Sequence, residues 1–184
     1  WLNGWLLYAV LYGIFGILLV IFPSEVVSRL YERTGWTRRD YIRRIIGLPV
    51  ALITIGLFIF LPIKVGTAVF WVGLLLYAAA LILFNVAVIN FRKTPLDHPV
   101  TRGVYRFSRN PQMVGLLLAF MGTAVAVGSW LMVILVVFMS IGAHTRILAE
   151  ERACLTQYGE SDRAYMYTVP RYFGLPRQSL KKVE

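Results

Sequence analysis

Long uncharged runs alternate with short basic segments along this chain, and the lengths of the runs set the first expectations. Trp1 to Phe22 is 22 residues without a charge. As a helix it is about 33 Å long at ~1.5 Å per residue, enough to cross a hydrocarbon core of ~30 Å. Ser24 to Arg44 is polar and carries Arg29, Arg33, Arg38, Arg39, Arg43 and Arg44. Ile45 to Ile63 then offers 19 uncharged residues, with Pro49 near the start, and predicts a second span. Lys64 is the only charge before Val65 to Ile89, a 25-residue run that predicts a third span and ends in Asn90, Arg92 and Lys93. The run from Met113 to Ala143 has 31 residues. It is about 46 Å long as one helix, too long for a single crossing, whereas two halves broken at Gly128-Ser129 are short spans.

Charge chooses between these two counts. With the N-terminus outside, five spans put the basic groups of Arg29 to Arg44, Arg92 to Arg109 and Arg146 to Lys182 on one side, with Lys64 alone opposite. Four spans would strand the C-terminal basic group outside, against the tendency of basic loops to stay in the cytoplasm. The expected fold class is all-α integral membrane, multi-pass, with about five transmembrane helices. The last two form a helical hairpin over 111–147 that turns at Gly128, Ser129 and Trp130, and a cytoplasmic amphipathic C-terminal segment follows. Gly115, Ala119, Gly122 and Ala126 share one helical face, which would let the two arms of the hairpin approach closely. The chain thus divides into a three-span part, residues 1–90, and a half, 91–184, whose loops and tail hold most of the potential chemistry. No internal repeat is present.

Composition narrows the class further. Apolar residues make up 58% and charged residues 15% of the 184 residues, against ~45–50% and ~25% in soluble domains. That excludes a soluble globular protein, a disordered tail and a disulfide scaffold. A net charge of +10 would suggest nucleic acid in a soluble chain. Here the basic residues sit between apolar runs and orient them, so no nucleic-acid partner is expected. Cys154 is the lone cysteine, and no Cys or His stands at metal-ligand spacing, which leaves no zinc or redox centre. His98 and His144 are expected to be structural, and Cys154 an inert thiol facing the tail or lipid.

Three polar elements of the second half are expected to share one corner at the cytoplasmic surface: the loop Thr94 to Gln112, the end of the last span near Arg146 to Glu151, and the tail to Phe173. Arg146 and Glu150 are four apart and can pair on a helix. Glu151 falls on the stripe of Leu148, Leu155 and Tyr158, a costly place for a carboxylate unless it faces a polar cavity, a cation or solvent. Pro111 suits the first turn of a helix, where its missing N–H costs nothing. Ser108 or Asn110 would cap that helix, or its free N–H groups would take an anion. Tyr158, Tyr165 and Arg171 read either as headgroup anchors or as parts of a site.

These residues carry a resemblance. Gly103-Val104-Tyr105, then Ser108-Arg109-Asn110-Pro111-Gln112, Gly115, Glu150-Glu151, Tyr158-Gly159, Tyr165 and Val169-Pro170-Arg171 resemble the C-terminal signature of the membrane methyltransferases. That group includes the isoprenylcysteine carboxyl methyltransferases and the phospholipid N-methyltransferases. The resemblance covers roughly residues 95 to 175. It implies a bundle of about five spans with S-adenosyl-L-methionine bound at the cytoplasmic side under the C-terminal segment, and S-adenosyl-L-homocysteine as product. Arg109, Asn110, Pro111 and Gln112 stand where the family has its Arg-His-Pro element. The family's histidine is Asn110 here, which hydrogen-bonds but does not titrate, and the aromatic often found two residues after the proline is Met113.

By the same resemblance Tyr105, Gly115, Tyr158, Tyr165 and Arg171 belong to the cofactor site. Glu150 and Glu151 match the paired carboxylates that the phospholipid enzymes use for the cofactor, while Arg146 with Glu150 resembles the Arg and Glu pair near the reaction centre of the isoprenylcysteine enzymes. Both assignments of Glu150 stand. The function implied is S-adenosylmethionine-dependent methyl transfer to a lipid or lipidated acceptor at the cytoplasmic membrane surface. The alternatives are an NADPH-dependent membrane sterol-type reductase, whose C-terminal region is similar, and a non-catalytic membrane scaffold. Methyl transfer asks chiefly for alignment and exclusion of water, which fits a chain without a Ser, His and Asp arrangement.

Overall fold

The computed structural model describes residues 2–175. Trp1 and the predicted basic tail residues Arg177, Lys181 and Lys182 lie outside the described residues. These form seven α-helices and one 3-10 turn, without strands: α1 (Trp5–Ile21), α2 (Ser24–Leu30), α3 (Arg38–Phe60), α4 (Ala68–Arg92), the 3-10 turn (Gly103–Arg106), α5 (Pro111–Val127), α6 (Trp130–Tyr158) and α7 (Glu160–Thr168). Three of them, α3, α4 and α6, are long and apolar enough to cross a membrane. Ile17 and Val20 on α1, Ile45 and Phe60 on α3, Trp71 and Leu75 on α4, and Phe138 and Ile141 on α6 are all exposed. So much outward apolar surface is untenable in water and suits lipid.

Two helices begin elsewhere than the apolar runs predict. α1 has 17 residues, about 25 Å, because residues 2–4 are spent on pairing. The Ile63 N–H donates to Leu2 O at 2.8 Å and the Gly4 N–H to Leu61 O at 3.0 Å. A Cβ at Gly4 would lie 2.9 Å from Phe58 Cδ1, so only glycine admits this approach. α3 starts at Arg38 rather than Ile45, because Thr37 and Asp40 make a capping box. Thr37 Oγ1 accepts from the Asp40 N–H at 3.4 Å and Asp40 Oδ2 accepts from the Thr37 N–H at 2.9 Å, satisfying two otherwise orphaned donors. Arg152 of α6 then donates to Asp40 Oδ1 at 2.7 Å, tying the two helices.

α5 is the central helix: nine of its 17 residues are buried, against five of 29 in α6. One core cluster joins Leu7 and Leu11 of α1 to Tyr77, Ala80, Phe84 and Val88 of α4 and to Ala119 and Ala126 of α5. A second joins Tyr8, Phe58, Phe120, Ala124, Met132 and Val136, from α1, α3, α5 and α6. The small-residue face of α5 corrects an expectation, since it packs on α4 and not on α6. A Cβ on Gly122 would lie 2.6 Å from the Tyr77 backbone nitrogen, and one on Gly115 already meets Phe84 N at 2.9 Å. α4 contributes Gly73 and Ala80 to the same contact, which α6, with bulky Met132 and Val136 facing α5, does not match.

Gly128, at φ 67°, ends α5 in the left-handed conformation that favours glycine, and its N–H bonds the Ala124 and Val125 carbonyls. Lys64 Nζ donates to Gly128 O at 3.1 Å and the Lys64 N–H to Ala126 O at 3.2 Å. Among the described residues, the lone basic residue of this end thus sits against the negative pole of α5. Asn110, just before α5, touches Glu151 near the end of α6, so the chain has returned to the arginine-rich end, where the candidate site lies.

Candidate functional site

The loop between α4 and α5 is shaped by a few local devices. Gly103, at φ 60°, passes so close to the Asn90 side chain that a Cβ there would collide with it. The 3-10 turn that follows buries Tyr105, whose carbonyl accepts from Tyr165 Oη at 2.7 Å. Ser108 is fully buried, and its Oγ accepts from the Asn110 N–H at 3.1 Å. Residues 170–174 lie alongside: the Arg109 N–H donates to Pro170 O at 3.0 Å and the Gly174 N–H to Phe107 O at 3.1 Å. Asn110 occupies the N-cap position with Pro111 in the first turn, yet its side chain makes no cap. This corrects the capping expectation for Asn110, whose Nδ2 donates across to Glu151 Oε1 and to Arg171 O, both at 3.2 Å.

Glu151 is buried and receives two guanidinium groups. Arg171 Nε and Nη2 both meet Oε2 at 2.9 Å, and Arg109 Nη2 stands 3.5 Å from Oε1. A carboxylate on an otherwise apolar stripe therefore faces cations, the condition under which such burial is sustainable. Arg109 is the notable member, because its Nε and Nη1 are buried with no partner, and so is Gln112 Nε2. Unpartnered buried donors are uncommon in native proteins, and a bound group is one explanation of them. Asp162 of α7 lies beside Arg109. Burial raises its carboxyl above the ordinary range, a tendency that Arg109 opposes and Glu151 reinforces. Burial likewise raises the phenols of Tyr105 and Tyr165, so both hydroxyls stay protonated.

These groups surround a cavity of about 400 Å³, within the range of small-molecule sites. Its polar wall holds Tyr105, Arg109, Asn110, Gln112, Arg146, Glu150, Glu151, Tyr158, Asp162 and Tyr165. Arg146 Nε donates to Glu150 Oε1 at 2.7 Å, the predicted four-residue pair, and the pair is half-exposed. The other wall is apolar, with Leu11, Tyr12 and Phe15 from α1, Phe84 and Phe91 from α4, and Met113 and Leu116 from α5. Three residues singled out in the sequence do not line it. Pro111 is buried in the first turn of α5, Gly115 is pressed against α4, and Arg171 reaches the cavity only through Glu151.

Several lining residues carried no sequence signal for a site. Arg29 reads as one topological charge among six, yet it staples the loop. Its Nη1 donates to Pro95 O at 3.0 Å, its Nη2 to His98 O at 2.6 Å and Tyr158 Oη at 3.1 Å, and it lies 5.0 Å over the Phe91 ring. Trp36 contributes a buried, unpartnered indole Nε1, and Asp162 follows the break at Gly159 that turns α7 back over the cavity. Cys154, expected to face tail or lipid, lies on the tail side: it lines this cavity together with Asp162, Tyr165 and Met166 of α7. The imidazole of His144 contacts Tyr172 Oη, and His98 pairs with exposed Asp97.

With this geometry in place, comparison with known proteins adds one finding. Residues 89–161, from the end of α4 to the start of α7, match the family model described as phospholipid methyltransferase. No curated protein and no solved structure matches the chain.

Proposed function

We propose that this chain is an integral membrane methyltransferase that transfers a methyl group from S-adenosyl-L-methionine to a lipid or lipidated acceptor at the cytoplasmic surface. The carrying observation is the pair of buried, partnerless donors on Arg109 and the one on Gln112, two residues that line a cavity of about 400 Å³ together with Glu150 and Asp162. The residues fit the cofactor's charges. Its carboxylate suits Arg109 and Gln112, and its cationic groups suit Glu150, Asp162 and the rings of Tyr105 and Tyr165, at about 0.5–2 kcal/mol per cation–π contact. When bound, the cofactor supplies an already activated methyl group, so no nucleophilic side chain is needed.

This chain's residues then align and enclose. Glu151, with both oxygens engaged, holds Arg109 in place. Arg146 and Glu150 stand where the acceptor meets the cofactor, and the 170–174 segment covers the loop and keeps water out. The apolar wall from α1, α4 and α5 receives the acyl or prenyl chain, so residues 1–90 would mainly serve the acceptor and residues 91–184 the cofactor. The reading carries a topology of five crossings by α1, α3, α4, α5 and α6, the last two as a hairpin at Gly128. Lys64 is then outside and the site faces the cytoplasm. The family match over 89–161 supports the reaction class.

Calorimetry on detergent-purified protein tests the reading: S-adenosylhomocysteine should bind and NADPH should not. Binding of NADPH alone would replace it with the reductase, and binding of neither would leave a scaffold. Lipid mass spectrometry after incubation with methyl-labelled cofactor would then identify the acceptor.

A further inference from the structure

The four residues Tyr172, Phe173, Gly174 and Leu175 carry no charge, and three of them present apolar or aromatic side chains outward: Tyr172 is 42% exposed, Phe173 62% and Leu175 84%. Phe107, held to this strip by the Gly174 N–H, is 44% exposed. The strip does not lead away from the bundle. Tyr172 Oη contacts His144, and the two rings lie 6.1 Å apart. At ~1.5 Å per residue, His144 stands about 10 Å from Glu151 along α6, toward Trp130 and the body of the bundle. The same α6 stripe continues through exposed Val137 and Ile141, part of the apolar outer surface. A segment leaving α7 on the arginine-rich side therefore runs back along α6 toward its apolar outer surface, the placement of an interfacial element.

We propose that Phe107, Tyr172, Phe173 and Leu175 form a membrane anchor that inserts into the lipid interface beside α6. The attachment is apolar, since the neighbouring Arg171 is already spent on Glu151. Its consequence follows from the backbone: Pro170 accepts from Arg109, and Arg171 holds Glu151. Lipid that grips residues 172–175 thereby steadies Arg109 and Glu151, two residues that line the cavity.

Spin labelling tests the anchor independently of any methyl transfer. In a Cys154→Ala background, which removes the only cysteine, a nitroxide is placed by Phe173→Cys or, separately, Leu175→Cys, with Arg163→Cys on α7 as the exposed reference. The protein is held in nanodiscs of zwitterionic phospholipid. The ratio of collisions with oxygen to collisions with a water-soluble nickel chelate should be several-fold higher at 173 or 175 than at 163, and unchanged when part of the lipid is made anionic. A ratio equal to the reference at both positions overturns the anchor, and a rise that requires anionic lipid overturns its apolar basis.

Discussion

α5 meets polar chemistry at both ends, and the two ends are finished differently. At the far end Gly128 bonds back onto its own helix, and Lys64 donates to the Gly128 carbonyl. Thr67 caps α4 a few residues on, and Asn3 Nδ2 donates to Ile59 O at 3.0 Å. Each of these donors has a partner within the chain. At the near end Asn110 forgoes its cap to reach Glu151, and Arg109 and Gln112 keep buried donors without partners beside a cavity. A buried donor without an acceptor costs about 1–3 kcal/mol. The contrast sets an end whose donors are paired within the chain against one that keeps buried donors unpaired, as the proposed ligand site requires.

The contrast is broken most severely at Glu151. Glu151→Gln removes the charge that balances Arg109 and Arg171, and it should lower stability by on the order of 3 kcal/mol and abolish S-adenosylhomocysteine binding. An unfolding temperature in detergent equal to that of the parent would remove Glu151 from this role. Arg109→Lys keeps a cation and discards the buried Nε and Nη1 donors. Affinity for S-adenosylhomocysteine should fall by about tenfold to a hundredfold with a smaller change in stability, and calorimetry beside thermal unfolding separates the two. Lys64→Met at the opposite end should cost only about 0.5–1 kcal/mol and leave that affinity alone. A tenfold loss there would dissolve the distinction between the ends.

The smallest effect concerns pH. Burial raises the Asp162 carboxyl in the folded protein, so the native state binds the proton more tightly than the unfolded chain does. Stability should therefore decline as pH rises from the ordinary carboxylate range through the raised value. Asp162→Asn should flatten that part of the profile, as read by unfolding temperature against pH. An unaltered slope would place the titration elsewhere.

Local features of the site were legible in advance. The Arg146–Glu150 pair needs only a helix and a four-residue spacing, and Pro111 needs only a helix start. The break at Gly128 follows from a glycine and a serine between two apolar halves. Glu151 was marked as an anomaly by its stripe, although its partners lie far along the chain. Where the features were not local, the reading failed or stopped short. A face of small residues announces a close approach without naming the neighbour, and α4 rather than α6 turned out to supply it. Asn110 looked like a cap because capping is the short-range use of its amide, whereas the long-range use prevailed once Glu151 was brought within 3.2 Å. Arg29, Trp36 and Asp162 gave no signal, since each reaches the cavity from a segment whose position depends on packing elsewhere.

Hydrophobic run lengths by themselves determined that this is a helical membrane protein, and the distribution of charge set the expected order of its spans, because both properties act along the chain and need no partner. Which helices press together, which carboxylate is buried between which arginines, and which donors are left facing a cavity were decided only by the tertiary structure. Those outcomes depend on distances of a few ångströms between residues that the sequence keeps far apart.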